Sequence, residues 1–211
     1  MSTRPAPRLK TFWFDEQRTR SPQEVASAAA AVVWRTAAHR IANLRHAGFA
    51  IEPGADYANV LVELACLMIA VADRVALRFA RRPAAEGKWR TAFTSALAHG
   101  VGELLQDSLD DLLGPDPQPG RGWRRRFVDR VNVRLAEYGQ FECGDDGPSF
   151  AMLRTFGERM EEMVADAGDR RWIADQAMTV DGPGAAETID DAMRALLGQR
   201  AKPARRAMSG D

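Results

Sequence analysis

The sequence predicts an all-α protein: a helical bundle of about seven helices, the first three long and antiparallel. Three observations predict it. Apolar residues recur at helical spacing in segment after segment. No stretch alternates apolar and polar with period two, and the β-branched residues also fall at helical spacing. The breaks between segments are short and rich in Gly and Pro, and short turns between long helices imply antiparallel neighbours.

Residues 1–20 hold two prolines, four arginines and a lysine, with Trp13 and Phe14 as their main apolar side chains. They read as a flexible arm with an aromatic anchor. Ser21, Pro22 and Glu24 spell a helix start, with Ser21 as N-cap and Glu24 completing a capping box. Val25, Ala29, Val32, Val33, Ala37, Ile41 and Leu44 then share one face, and the helix ends near Ala47 and Gly48. Asp56 is the expected cap of the second helix, which runs to about Arg82 and stops before Pro83.

Trp89, Phe93, Leu97, Val101, Leu104, Leu105, Leu109 and Leu112 mark the third helix. The 114–120 stretch, with three prolines and two glycines, is the clearest break and a candidate sub-boundary within one domain spanning 21–198. Trp123, Phe127, Val131, Leu135 and Tyr138 define a fourth helix. Phe150, Leu153, Phe156, Met160, Met163 and Val164 define a fifth, expected to run to Gly168 with Asp146 or Ser149 as its cap. Asp169 should cap a short sixth helix ending near Thr179, and Pro183 should open the last, closed by Gly198. The tail from 199 to 211 is polar and basic, and reads as disordered.

The second helix is the expected centre of the fold. Apolar residues cover most of its circumference, which is the pattern of a helix packed on two sides. Its polar remainder is a narrow stripe of Asn59, Glu63, Asp73 and Arg74, either a solvent strip or a seam inside the bundle. Pairing of the first two helices would set Glu63 level with Ile41. Arg40 or Arg45 then becomes its expected cationic partner, and Arg40, on an apolar face, needs either a partner or a snorkelling route. Glu63, Asp73, Arg74 and Arg40 are therefore the candidate buried polar or ligand-binding residues.

The chain carries 29 basic and 29 acidic side chains, so no global field steers it to nucleic acid or an anionic membrane. Among the basic residues 26 are Arg and three are Lys, and there are 36 Ala; both excesses suit helices and both follow from GC-rich codons. The zero is an average. Arg121, Arg124, Arg125, Arg126, Arg130 and Arg134 form a basic face, while 103–111, 142–146 and 158–166 are acidic. Arg126, Arg130 and Arg134 fall on one helical stripe that could track phosphates. The alternative is that the basic and acidic faces meet inside the bundle.

Catalytic signatures are absent. No Gly-x-Ser-x-Gly, Walker loop or Glu-x-x-His occurs. His39 and His46 are too far apart along a helix to share an ion unaided, and His99, Glu103 and Asp107 line a polar face, so neither metal nor cofactor is expected. Cys66 and Cys143 are too few for a disulfide framework, and no apolar run approaches the roughly 20 residues of a bilayer span. The expected setting is cytoplasmic. Trp34 lies off the main apolar face and could anchor a partner, as could the methionines of the C-terminal half. The leading expectation is a non-catalytic interaction protein of bacterial type, an adaptor, assembly factor or chaperone, with a protein partner or a second copy. Two alternatives are a nucleic-acid-associated protein acting through Arg126, Arg130 and Arg134, and a small-molecule or metal-dependent enzyme centred on Glu63 and Asp73.

Overall fold

The computed structural model describes residues 20–79, 86–114, 122–164 and 167–198. Most of the N-terminal arm, the expected end of the second helix at Arg82 and Pro83, the 115–120 part of the Pro/Gly break with Arg121, residues 165–166 and the tail from 199 lie outside them. Among the described residues the fold has seven α-helices: α1 (Pro22–His46), α2 (Ala55–Phe79), α3 (Glu86–Leu113), α4 (Gly122–Tyr138), α5 (Phe150–Met163), α6 (Ala167–Gln176) and α7 (Gly182–Leu196).

The start of α1 is the expected capping box. Ser21 Oγ accepts from the Glu24 amide at 3.2 Å, and the Ser21 amide donates to Glu24 Oε2 at 2.9 Å. The helix ends where Gly48 takes a φ of 97°, a left-handed conformation that glycine adopts without strain. Ser149, rather than Asp146, caps α5, accepting from the Met152 amide.

Four details differ from expectation. Asp56 sits inside the first turn of α2, where its charge suits the helix dipole, and does not cap it. A two-residue antiparallel pair, β1 (Cys143–Gly144) with β2 (Gly147–Pro148), forms in the loop before α5. Helix α5 stops at Met163 instead of reaching Gly168, and α6 begins at Ala167, ahead of Asp169. A π-helical turn over Ala177–Asp181 then joins α6 directly to α7, where a break was expected.

Helix α2 is the axis of the bundle. Residues 63–73 are all buried, three turns without one solvent-facing side chain. It packs against α1, α3, α4, α5 and α7. The polar stripe is therefore a seam inside the bundle: Glu63 and Asp73 are buried, while Asn59 stays exposed. Helix α1 packs more extensively on α3 than on α2, with Gly100 of α3 allowing close approach to Ala30. One apolar core takes in Val25 of α1, Phe93 of α3, Phe127 of α4, Phe156 of α5 and Met193 of α7.

The remaining partner candidates are mostly absorbed by this core. Trp34 is half-buried against it, and Met152, Met160 and Met193 are buried within it. The most exposed large apolar side chains among the described residues are Phe150 on α5 and Trp172 on α6, 69% and 65% exposed. No helix among the described residues is long and apolar enough to cross a membrane.

Candidate functional site

Helices α3 and α4 meet where Gly102 faces Arg124 and Phe127. A Cβ on Gly102 would stand 3.1 Å from Arg124 Cγ and 3.4 Å from Phe127 Cδ1, so the missing side chain is what permits the crossing. Toward the start of α3 and the end of α4 a space lies between the two helices, with residues of α2 also lining it. The result is a groove of about 640 Å³. Ala70, Asp73 and Arg74 come from α2. Gly87, Arg90, Thr91, Thr94, Ser95, Ala98 and His99 line the α3 wall. Val128, Val131, Asn132, Leu135, Tyr138 and Gly139 line the other.

Apolar side chains form its base, among them the buried Ala70, Ala98, Val131 and Tyr138. The polar groups are held in place. Arg90 grips Asp73 with two nitrogens, Nε donating to Oδ1 at 2.8 Å and Nη2 to Oδ2. Thr94 Oγ1 donates to the same Oδ1 at 2.7 Å. The Asp73 hydrogen bond holds the Arg90 guanidinium more basic than usual, outweighing partial burial. Arg74 Nη2 donates to the Gly139 carbonyl at 2.6 Å, and His99 Nδ1 bonds the Ser95 carbonyl at 2.8 Å. Two of the candidate residues, Asp73 and Arg74, thus belong to one site.

Glu63 is elsewhere, and its expected partners are corrected. Arg134 reaches it with Nε to Oε2 at 2.7 Å and Nη2 to Oε1 at 2.8 Å, and Arg130 Nη1 joins at 2.9 Å. Neither Arg40 nor Arg45 is involved. Arg45 Nε donates to the Ile51 carbonyl at 2.6 Å, and Arg40 Nη1 lies 3.8 Å from Asp181. The physical reason is the packing order: the Glu63 side of α2 receives α4, while α1 leans on α3.

The arginine pair extends into a network. Arg134 Nη1 donates to Glu137 Oε2 at 2.9 Å, Arg159 of α5 holds Glu137 Oε1, and Arg159 Nη1 reaches Glu162 at 2.5 Å. Burial pulls the Glu137 carboxyl upward, but hydrogen bonds and charge from Arg159 and Arg134 hold it below the usual range. Burial also opposes the charge on Arg134, yet Glu63 and Glu137 raise its pKa further, so it is a permanent cation. Next to Glu63, Cys66 and Tyr138 are both buried. Burial first, and the Glu63 charge second, push the thiol and the phenol well up, so both remain protonated and neither serves as a nucleophile at neutral pH.

The candidate phosphate-tracking stripe is thereby divided. Arg134 is buried and Arg130 is paired, both on Glu63, while Arg126 lies over the Trp123 ring at 5.4 Å. Arg124 of the same face pairs with Glu103 of α3 at 3.0 Å, so basic and acidic faces meet there, at the exposed surface of the α3–α4 contact. Arg121 lies outside the described residues. No group of three or more His, Cys, Asp or Glu side chains among the described residues is arranged to hold a metal ion.

Two further charged sites were not foreseen. At the end of α2, Arg78 donates to Asp190 at 2.9 Å and to the carbonyls of Cys143 and Gly144 at 2.6 and 2.7 Å. Arg194 holds Asp190 and Asp145 and lies over the Phe79 ring at 4.7 Å. At the π-turn, Asp181 is fully buried between Gln176 and Arg40. Burial raises its pKa, against smaller opposing effects from the Gln176 hydrogen bond and the charges of Arg40 and His39. A folded-state pKa above the unfolded one means the Asp181 contribution to stability is fully present below the ordinary aspartate value of 3.8 and is lost as pH rises through the raised one. Asp181→Asn is therefore expected to be more stable than the wild type at neutral pH, with the advantage vanishing in strong acid. Urea unfolding across that pH range checks this.

Comparison of the chain with protein families, with curated proteins and with solved structures finds no match.

Proposed function

We propose that this protein is a non-catalytic binding module whose α2–α3–α4 groove holds a small amphipathic molecule. The observation that carries the reading is the groove itself, a space of about 640 Å³ with an apolar base and a rim of fixed polar groups. Its volume falls within the roughly 300–1,000 Å³ range of small-molecule sites, and an apolar lining with a few convergent polar groups is their usual chemistry. The rim is preorganised: Asp73, Arg90 and Thr94 hold each other, and Arg74 is tied to Gly139.

The other readings have less support. An enzyme centred on Glu63 and Asp73 would need those carboxylates to be available, whereas two arginines engage both oxygens of Glu63, which does not line the groove, and Arg90 and Thr94 engage both oxygens of Asp73, which does. A phosphate-tracking face would need Arg134 turned to solvent and Arg130 released from Glu63, whereas Arg134 is buried and both engage that carboxylate.

Fluorescence titration with phenylnaphthylamine, a neutral apolar dye, tests the proposal. The wild type is expected to bind it saturably at one site. Ser95→Trp and Ala98→Leu, which add bulk to the groove lining without touching an ion pair, are expected to weaken binding about ten-fold or more. Unchanged affinity in both variants would exclude the groove as the binding site.

A further inference from the structure

Charge is distributed unevenly around the groove. Its lining holds two arginines, Arg74 and Arg90, and one carboxylate, Asp73. That carboxylate is already occupied. Its Oδ1 accepts from both Arg90 Nε and Thr94 Oγ1, and its Oδ2 accepts from Arg90 Nη2. One Arg charge is thus compensated by a buried partner, whereas Arg74 has no ion pair among the described residues. Arg74 makes its hydrogen bond to a neutral carbonyl, that of Gly139, which answers a donor but leaves the charge.

The geometry of Arg90 adds to this. Its guanidinium is planar and engages Asp73 side-on through Nε and one terminal nitrogen. The second terminal nitrogen, Nη1, points away from that pair by the geometry of the fork. Asp73 therefore fixes a donor edge in place, and fixing it in advance lowers the entropy lost on binding. Thr91, Ser95 and Asn132 supply further neutral hydrogen-bonding groups along the same lining. The base below them is apolar.

We infer that the groove selects ligands carrying an oxyanion head group (carboxylate, phosphate or sulfonate) on an apolar body, with Arg74 and Arg90 holding the head. The inference rests on the groove being the binding site and adds the chemical class of what enters it. Arg74 supplies the uncompensated charge, Arg90 the fixed donor edge, and Ala98, Val131 and Leu135 contact the apolar body. A neutral ligand of the same shape leaves the Arg74 charge without a counter-ion in a partly desolvated space, and a cationic one meets repulsion.

Two dyes of nearly the same shape separate the claims. Anilinonaphthalene sulfonate carries a sulfonate that phenylnaphthylamine lacks. The wild type is expected to bind the sulfonated dye at least about ten-fold more tightly, with a preference that shrinks as salt is raised. Arg74→Gln is expected to remove most of that preference, weakening the sulfonated dye far more than the neutral one, and Arg74→Lys to retain it. Equal affinity for the two dyes, or a sulfonate preference that survives Arg74→Gln, overturns the inference and leaves the groove reading intact provided that Ser95→Trp still blocks both dyes. Failure of Ser95→Trp and Ala98→Leu to block either dye overturns both. Circular dichroism of each variant confirms that it is folded.

Discussion

Glu63→Ala is expected to destabilise the protein by about 3–5 kcal/mol, the usual cost of removing one member of a buried ion pair. The loss is not simply that of an attraction. With the carboxylate gone, Arg134 remains a buried cation that cannot deprotonate, and only Glu137 is left to answer it. Arg130 suffers less because its side chain is 41% exposed and can turn to water. Arg130→Ala is accordingly expected to cost about 1 kcal/mol or less. The double variant Glu63→Met with Arg134→Met is expected to recover much of the loss, since apolar replacements of buried pairs are often neutral or stabilising. Urea unfolding of the four proteins measures all of this. A Glu63→Ala cost below about 1 kcal/mol would mean that the buried pair does not hold α4 on α2.

The second large effect is expected at Asp190. It is 2% exposed and holds Arg78 and Arg194 together. Asp190→Ala is expected to cost about 3 kcal/mol, the lower end of the range for buried pairs because Arg194 keeps Asp145. It also has a local consequence. Arg78 is the side chain that carries Asp190 on one side and the carbonyls of Cys143 and Gly144 on the other. Released from Asp190, Arg78 becomes mobile and the β1–β2 loop loosens with it. Cys143 is half-buried there, whereas Cys66 is buried in the core. A thiol-specific disulfide reagent is therefore expected to label Cys143 faster in Asp190→Ala than in the wild type, with Cys66 unreactive in both. Unaltered labelling would show that the loop holds without the Asp190 anchor on Arg78.

How far these features can be read from the chain depends on whether they are local. The Ser21 capping box and the left-handed Gly48 turn use contacts within a few residues, and both stand as the sequence implies. The central position of α2 is also legible, because a helix apolar over most of its circumference has few other places to go. The buried seam was visible as a stripe, but its partners were not. Glu63 and Arg134 are 71 positions apart, and their meeting depends on α4 rather than α1 covering that side of α2. A signal was present. Val131, Arg134 and Tyr138 are spaced i, i+3 and i+7, which sets Arg134 on the buried face of its helix, and a buried arginine demands a buried carboxylate. Reading Arg126, Arg130 and Arg134 as one solvent stripe missed that the stripe rolls from surface to core.

The groove was less legible still. Gly102 marks the close contact of α3 with Arg124 and Phe127 of α4, but the groove beside it depends on how the two helices run beyond that contact. The Asp73–Arg90 pair bridges the last turns of α2 and the start of α3, and nothing in the spacing of 17 residues reveals it without knowing how the two helices are placed.

The most direct test of the groove as the ligand site is backbone-amide chemical-shift mapping of the protein titrated with anilinonaphthalene sulfonate. Saturable shifts concentrated at Ala70, Thr94, Ala98, Asn132 and Leu135, absent from Ser95→Trp, are the predicted result. Shifts centred instead on the exposed Phe150 and Trp172, or none that saturate, would contradict it.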